Sequence, residues 1–334
     1  MKQLAFGLVF TMVCSPAVVV AQDVSTRLYG DFRYSYNRAD AGDSSRWAGA
    51  NNASRLGVEA ELVGESLTVF ADFQAGVNVD GDEDGGAFTQ RYFLAGVRGA
   101  VGTFTLGRHS TNYKMAGLRI DPFYDTSVLG VGGAVPSTGL FAGASFGLSN
   151  LTNGWADRTL AYASPTKWGL RANAAIYLDT ASDHDYAVGL GYQDGGFEAG
   201  LQYHDVGGGR TWTQTVGIED ALRGHASYGG ESWTVGGSYE RIRADGGDTQ
   251  GFVYVAATMD PTPELTLAAA AGHVDEGAAQ PAAATGTGFH AGLFYALHPQ
   301  ARLHALYSRL DLDLGQDRAN LALGLTIHFA LEKP

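Results

Sequence analysis

The sequence predicts an all-β fold, a transmembrane antiparallel β-barrel of sixteen strands with a long third loop folded into the lumen. Three observations predict it. Apolar and polar residues alternate in segments of about ten residues, as in membrane barrels. Short turns alternate with longer polar loops along the chain, which places the turns on the periplasmic side. No stretch approaches the ~18 consecutive apolar residues of a membrane-spanning helix.

The N-terminus has the pattern of a secretory signal peptide. Lys2 is followed by an apolar stretch over residues 4–14 and then by small residues that end at Ala21. We predict cleavage after Ala21. This assigns residues 1–21 to the signal and residues 22–334 to a single barrel domain.

The only cysteine is Cys14, within the predicted signal, so the predicted mature chain holds no disulfide and no thiolate metal site. A lipoprotein signal around Cys14 is the alternative interpretation. It is disfavoured because Val13 stands where a small residue is expected.

The last predicted strand shows the alternation most clearly. Its apolar side chains alternate with small or polar ones at Leu321, Leu323, Leu325, Ile327 and Phe329. The sixteen predicted strands begin near Thr26 and end at Phe329. An even number places both termini on the periplasmic side.

Seven short turns separate pairs of strands, at residues 63–66, 100–102, 166–169, 194–196, 229–232, 260–264 and 299–300. Longer polar stretches lie between them, at residues 39–52, 80–90, 207–215 and 276–287. A soluble sandwich, propeller or β-solenoid shares the alternation. These folds are disfavoured because charges recur on the polar face of strand after strand, which a continuous soluble core would not accept, and because no blade-length repeat is present.

One connection is much longer than the others, at about residues 110–156. It contains Asp121-Pro122-Phe123-Tyr124-Asp125 and then a glycine-rich run. Structureless loops of this length are usually functional. We expect this loop to fold into the lumen, where water can solvate its backbone.

Short segments spread over the predicted mature chain resemble the general porins of Gram-negative bacteria. They are Leu28-Tyr29-Gly30, Asn52-Ala53-Ser54-Arg55-Leu56-Gly57, Arg91 with Ala95-Gly96-Val97, the stretches 102–108 and 158–165, and Asp121-Pro122-Phe123. The resemblance implies a homotrimeric outer-membrane barrel beside lipopolysaccharide, with a lumen narrowed by the third loop. It implies passive diffusion of small hydrophilic solutes and ions.

The resemblance also implies a constriction with basic wall residues opposite an acidic loop. Matched to this chain, the wall residues are Arg55, Arg91 and Arg158, and the loop residues are Asp121 and Asp125. A guanidinium suits such a wall because it stays ionised beside other cations.

The residues themselves add Arg33, on the polar face of the first strand, and Arg108, where the fifth strand enters the long loop. Asp31 joins the acidic set. It occupies a position where related porins often carry a basic residue, so the pore is expected to tolerate cations. The chain also continues past the terminal aromatic Phe329 by residues 330–334.

The formal net charge of −13 disfavours a nucleic-acid partner and predicts an acidic lumen or outer surface. We predict no enzymatic activity, because the His-Asp dipeptides at 184–185 and 204–205 point to opposite strand faces and no Gly-x-Ser-x-Gly motif is present. A hydrolase barrel is the disfavoured alternative.

We predict no cofactor. Asp80, Asp82 and Asp84 resemble the opening of a calcium loop, but Arg91 stands where its twelfth ligand should be. The simple interpretation is a solvated surface loop, and the alternative is a loop that bridges divalent cations to lipopolysaccharide.

Two other functions remain open. A solute-specific channel should line its lumen with aromatic residues. A barrel with a mainly structural or adhesive role should have a narrow, plugged lumen, although sixteen strands are more than side-chain filling requires.

Overall fold

The computed structural model describes residues 23–42, 44–79, 86–130, 143–178, 185–206, 217–244, 246–277 and 285–333. Within them, seventeen strands form one closed antiparallel sheet. The predicted signal peptide and the loop aspartates Asp80, Asp82 and Asp84 lie outside the described residues.

The strands are β1 Asp23–Ala41, β2 Ser44–Asn51, β3 Arg55–Val63, β4 Leu67–Val77, β5 Phe88–Gly99, β6 Gly102–His109, β7 Ala156–Ala163, β8 Leu170–Tyr177, β9 Asp185–Asp194, β10 Phe197–Asp205, β11 Ile218–Gly229, β12 Trp233–Ala244, β13 Thr249–Thr262, β14 Leu265–Val274, β15 Gly286–His298, β16 Ala301–Leu312 and β17 Arg318–Lys333. The long loop contains the helix α1, Asn112–Leu118, and a 3₁₀ turn, Asn150–Thr152.

The barrel has sixteen strands as predicted, because β2 and β3 are two halves of one strand. β2 pairs with the outer part of β1, and β3 pairs with its first nine residues. Between them Ala53 adopts a positive φ of 60°, and the Asn52 amide donates to the Arg33 carbonyl at 3.0 Å. This bulge shifts the register by one residue.

All seven predicted short turns are confirmed, since each joins the ends of two consecutive strands. The predicted loop at 39–52 is wrong. β1 continues to Ala41 and β2 begins at Ser44, so the two strands form a long hairpin.

The barrel closes through β1 and β17, which pair along β1 from Thr26 to Ala41. The last strand does not end at Phe329. Ala330 and Leu331 continue the ladder opposite Tyr29 and Leu28. The C-terminal extension is therefore part of the barrel wall.

The two faces of the last strand differ as the alternation predicts. Leu323 is 59% exposed on the outer face, whereas the inward-facing Ala322 is fully buried. Trp168 and Trp233 are exposed beside short turns, where an interfacial aromatic girdle is expected. Among the described residues, no helix is long and apolar enough to cross a membrane.

We predict that truncation after Phe329 lowers stability without abolishing the barrel. About four backbone hydrogen bonds of roughly 0.5–1.5 kcal/mol each would be lost, or about 2–6 kcal/mol in total. Urea unfolding of the refolded protein in lipid vesicles measures the loss, and removal of Pro334 alone is the control. An unchanged unfolding midpoint would show that the extension adds nothing to the wall.

Candidate functional site

The long loop lies inside the barrel, as predicted. Tyr113, Phe123, Phe146 and Leu151 of this loop are completely buried. They pack with inward-facing apolar residues of the wall in two clusters, which include Phe252, Ile242, Tyr254, Phe294 and Ala322. The loop therefore covers much of the wall formed by the later strands.

A buried ion pair on that wall anchors the loop. Arg223 of β11 contacts Glu240 of β12 at 2.7 Å, and both side chains are almost completely buried. Glu240 accepts hydrogen bonds from the Tyr113 hydroxyl at 2.6 Å and from the Ser149 amide and hydroxyl. Arg223 donates to the Thr152 hydroxyl at 2.6 Å and to the Tyr113 carbonyl at 2.8 Å. Both ends of the loop are thus tied to one ion pair.

Asp121 forms a second anchor, not a wall of the constriction. Its carboxylate accepts hydrogen bonds from the Phe123 amide, the Tyr254 hydroxyl, and the amide and hydroxyl of Ser145, at 2.8–3.0 Å. The expectation that Asp121 faces the wall arginines is therefore wrong, because its lone pairs hold the loop to β13. Burial raises the pKa of Asp121, against the effect of these hydrogen bonds.

The tip of the loop reaches the opposite wall. The hydroxyls of Ser127 and Ser35 are 2.6 Å apart, and the Ser127 hydroxyl also donates to Asn52 at 2.7 Å. The Asn320 amide donates to the Ser127 carbonyl at 2.5 Å. Farther along, the Leu129 amide donates to Ser308 at 3.0 Å. The loop therefore spans the lumen.

Two of the predicted arginines meet the loop here. Arg55 contacts Asp125 at 2.7 Å and Asp31 at 2.6 Å, and Arg33 contacts the same two carboxylates at 3.4 Å and 2.9 Å. Asp125 has a positive φ of 55°, a left-handed conformation that aspartate adopts more readily than most residues. His328 lies 2.5 Å from the other oxygen of Asp31. The structure thus brings Arg33, Arg55, Asp31 and Asp125 together.

Arg91 and Lys114 lie in a different environment, against one tryptophan. Arg91 donates to Gln74 at 2.7 Å, and its guanidinium lies 4.9 Å from the centre of the Trp155 ring. The Lys114 ammonium lies 3.8 Å from the same ring and donates to the Asn153 carbonyl at 3.4 Å. Within the described ranges, neither cation pairs with a carboxylate. Burial lowers the pKa of Lys114 to about 7, and the nearby arginines add to the effect.

Of the two remaining predicted arginines, Arg108 lies near this group and Arg158 does not. Arg108 contacts Asp157 at 2.5 Å and donates to the Arg91 carbonyl at 2.8 Å, which places it beside Arg91. Arg158 has a positive φ of 49° and an exposed side chain. It is therefore not buried with the other arginines with which the resemblance grouped it, because the backbone is irregular at this point of β7.

We call Arg33, Arg55, Arg91, Arg108 and Lys114 the basic cluster. Its five cations are accompanied by the carboxylates of Asp31, Asp125 and Asp157. Cations exceed carboxylates among these residues, so the expectation of an acidic lumen is not met at this level. The net negative charge of the chain resides elsewhere.

Sequence analysis missed Lys114 and Trp155. Lys114 is in α1, whose first turn is capped by Thr111, with the Lys114 amide donating to the Thr111 hydroxyl at 3.1 Å. A Thr before a helical stretch was the only available signal for this helix. No local pattern indicates that its lysine would contact a tryptophan on the far end of the loop.

The chain is similar to known proteins both in sequence and in fold. A family model described as Gram-negative porin matches residues 7–315. Comparison with curated proteins finds no match.

Three solved structures share the fold. The anion-selective porin from Comamonas acidovorans is 16% identical, with a TM-score of 0.68 over 92% of this chain and 100% of that one. The outer membrane channel DcaP of Acinetobacter baumannii is 11% identical, with a TM-score of 0.66 over 92% and 97%. OmpT of Vibrio cholerae in its trimer form is 17% identical, with a TM-score of 0.63 over 92% and 100%.

We predict that Gly272→Ala displaces the loop. A Cβ at Gly272 would lie 1.8 Å from the Phe146 carbonyl oxygen and 2.7 Å from the Gly147 Cα, so the backbone of the loop would have to move. The expected cost is about 1–3 kcal/mol, together with faster proteolysis of the loop. Gly224→Ala is the matched control, because its Cβ would meet only Leu201 at 3.8 Å. Equal proteolysis of the two variants would contradict the close approach.

Proposed function

The chain belongs to the Gram-negative porin family, and from that premise we propose that its channel favours anions. It is an outer-membrane channel protein for the passive diffusion of small hydrophilic solutes and ions. The proposal concerns the narrowest level, where we place the basic cluster and the loop residue Asp125. A porin needs no catalytic group, and we infer no enzymatic role.

The unpaired state of Arg91 and Lys114 carries the proposal. Arg33 and Arg55 share Asp31 and Asp125, and Arg108 contacts Asp157. Those charges largely offset one another. Arg91 and Lys114 instead lie against Trp155. Arg91 is partly exposed and Lys114 is 2% exposed. No carboxylate among the described residues offsets their positive charge, and uncompensated positive charge in a narrow pore attracts anions.

The effect of each charged side chain on a passing ion depends on how much of that side chain is exposed to water. Arg33 and Arg55 keep 16% and 14% of their side chains exposed, Asp125 keeps 4%, and Asp31 keeps 18%. Of the two carboxylates that join these arginines, Asp125 is therefore less accessible to a passing ion than the cations, and Asp31 is about equally accessible. The Comamonas acidovorans protein of the same fold is described as anion-selective, which supports the same direction.

The alternative of a solute-specific channel with an aromatic track receives less support. The inward-facing Phe252 and Tyr254 are completely buried, and Phe294 is 3% exposed. They pack beneath the loop instead of lining an open path. A barrel that serves mainly as an anchor is disfavoured because charged groups, not apolar filling, occupy the side of Arg55 and Arg91.

We further propose that the chain forms a homotrimer beside lipopolysaccharide. OmpT of Vibrio cholerae, which has the same fold, is described in a trimer form. Binding of divalent cations by Asp80, Asp82 and Asp84 at the lipopolysaccharide surface stays a proposal. Mass measurement of the detergent-extracted protein, with and without added divalent cations, tests both.

We predict that the wild-type channel shows an anion-selective reversal potential in a gradient of KCl across a planar bilayer. Arg91→Gln combined with Lys114→Met should lower the anion-to-cation permeability ratio about two- to fivefold, equivalent to roughly 0.5–1 kcal/mol. Arg98→Gln is the control, because Arg98 already pairs with Glu61 at 2.7 Å. Cation selectivity of the wild type, or an unchanged anion-to-cation permeability ratio in the double variant, would refute the proposal.

We also predict that the selectivity depends on pH near 7. Lys114, with its pKa lowered to about 7, is charged below that pH and neutral above it. The anion preference should therefore fall as the pH rises from 6 to 8. Lys114→Met should abolish this change. A change of selectivity with pH that persists in Lys114→Met would refute the assignment.

A further inference from the structure

A polar recess opens between α1 and the barrel wall, away from the basic cluster. It lies at the level of the turn between β7 and β8. One face of α1 lines it through Asn112, Met115 and Ala116, together with Arg119, the residue that caps the helix C-terminus. Strands β8 to β11 form the other wall.

The wall of this recess presents polar groups that lack a hydrogen bond. The Asn173 side-chain oxygen and both ring nitrogens of His225 are buried with no hydrogen bond. The His225 side chain is only 3% exposed, and its Nε2 lies 3.9 Å from the Glu198 carboxylate. Buried polar atoms of this kind are normally satisfied. Within the described ranges, Arg171 forms neither an ion pair nor a hydrogen bond. A ligand in the recess would supply the missing partners.

The charges in the recess favour a carboxylate. Arg119 of α1 pairs with Glu198 of β10, so these two charges offset each other. Arg171 is left as the uncompensated cation. A guanidinium binds a carboxylate through two parallel N–H donors. The amide of Asn173 and the imidazole of His225 can each donate to or accept from a hydroxyl group.

We propose that this recess is a binding subsite for small hydroxylated carboxylates on their way through the channel. The carboxylate binds Arg171, and the hydroxyl groups bind Asn173 and His225. The inference rests on the proposed function, because α1 carries Lys114 of the basic cluster as well as the Met115 and Arg119 that line the recess. An anion that passes the cluster therefore meets Arg119 and Arg171 next.

Current block in a planar bilayer tests the subsite, with gluconate as the probe and glucose as its neutral counterpart. Gluconate should reduce the KCl current of the wild-type channel in a saturable manner, and glucose should not. Arg171→Gln should raise the half-blocking concentration about tenfold, as expected for the loss of one charge-assisted contact. Arg98→Gln, another lumen-facing arginine, should leave it unchanged. Equal block of all three channels would overturn the proposal.

A second measurement is independent of conduction. Cys14 is the only cysteine of the chain and lies in the predicted signal, so Met115→Cys gives the mature protein a single thiol in the recess. Gluconate should slow its reaction with an anionic methanethiosulfonate reagent in detergent solution, and Arg171→Gln should remove this protection. Absence of protection at blocking concentrations would overturn the subsite. Protection without any stepwise conductance would support the subsite and refute the proposed channel function.

Discussion

The buried ion pair of Arg223 and Glu240 is the constraint on which the interior of this barrel depends. Two charges removed from water are costly unless further hydrogen bonds satisfy them. The loop supplies these bonds through Tyr113, Ser149 and Thr152. The wall thus requires the loop to lie in the lumen, in one position.

The position of the loop in turn arranges the charges of the pore. With its two ends held at Glu240 and its middle held by Asp121 on β13, the tip must cross to β1 and β3. There Asp125 meets Arg33 and Arg55. The same constraint places α1 so that Lys114 contacts Trp155. Apolar packing therefore fills one side of the lumen, and charged groups line the other.

Sequence patterns were most reliable where the physical rule is local. Alternation with period two identified the strands, and the seven short turns followed from it. Arg55 and Asp125 were identified through resemblance, and Arg33 through its position on a polar strand face. Resemblance failed at irregular backbone, because it matched Arg158 to the constriction wall, whereas this residue has a positive φ and an exposed side chain. It also failed at Asp121, since a carboxylate in a loop carries no sign of whether it will face water or bind the wall.

The sixteen-stranded barrel and its inward loop were predicted from the sequence alone, through periodicity, turn spacing and a loop too long for a simple connection. The tertiary structure decided which charges meet. Asp31 and His328 are far apart in the chain and adjacent across the closing β1–β17 pair. Lys114 and Trp155 come from opposite ends of the loop. Such contacts depend on closure of the sheet and on the path of the loop, and neither is encoded in a short segment. The contacts on which the proposed charge selection depends therefore follow from the tertiary structure and not from any short segment of the sequence.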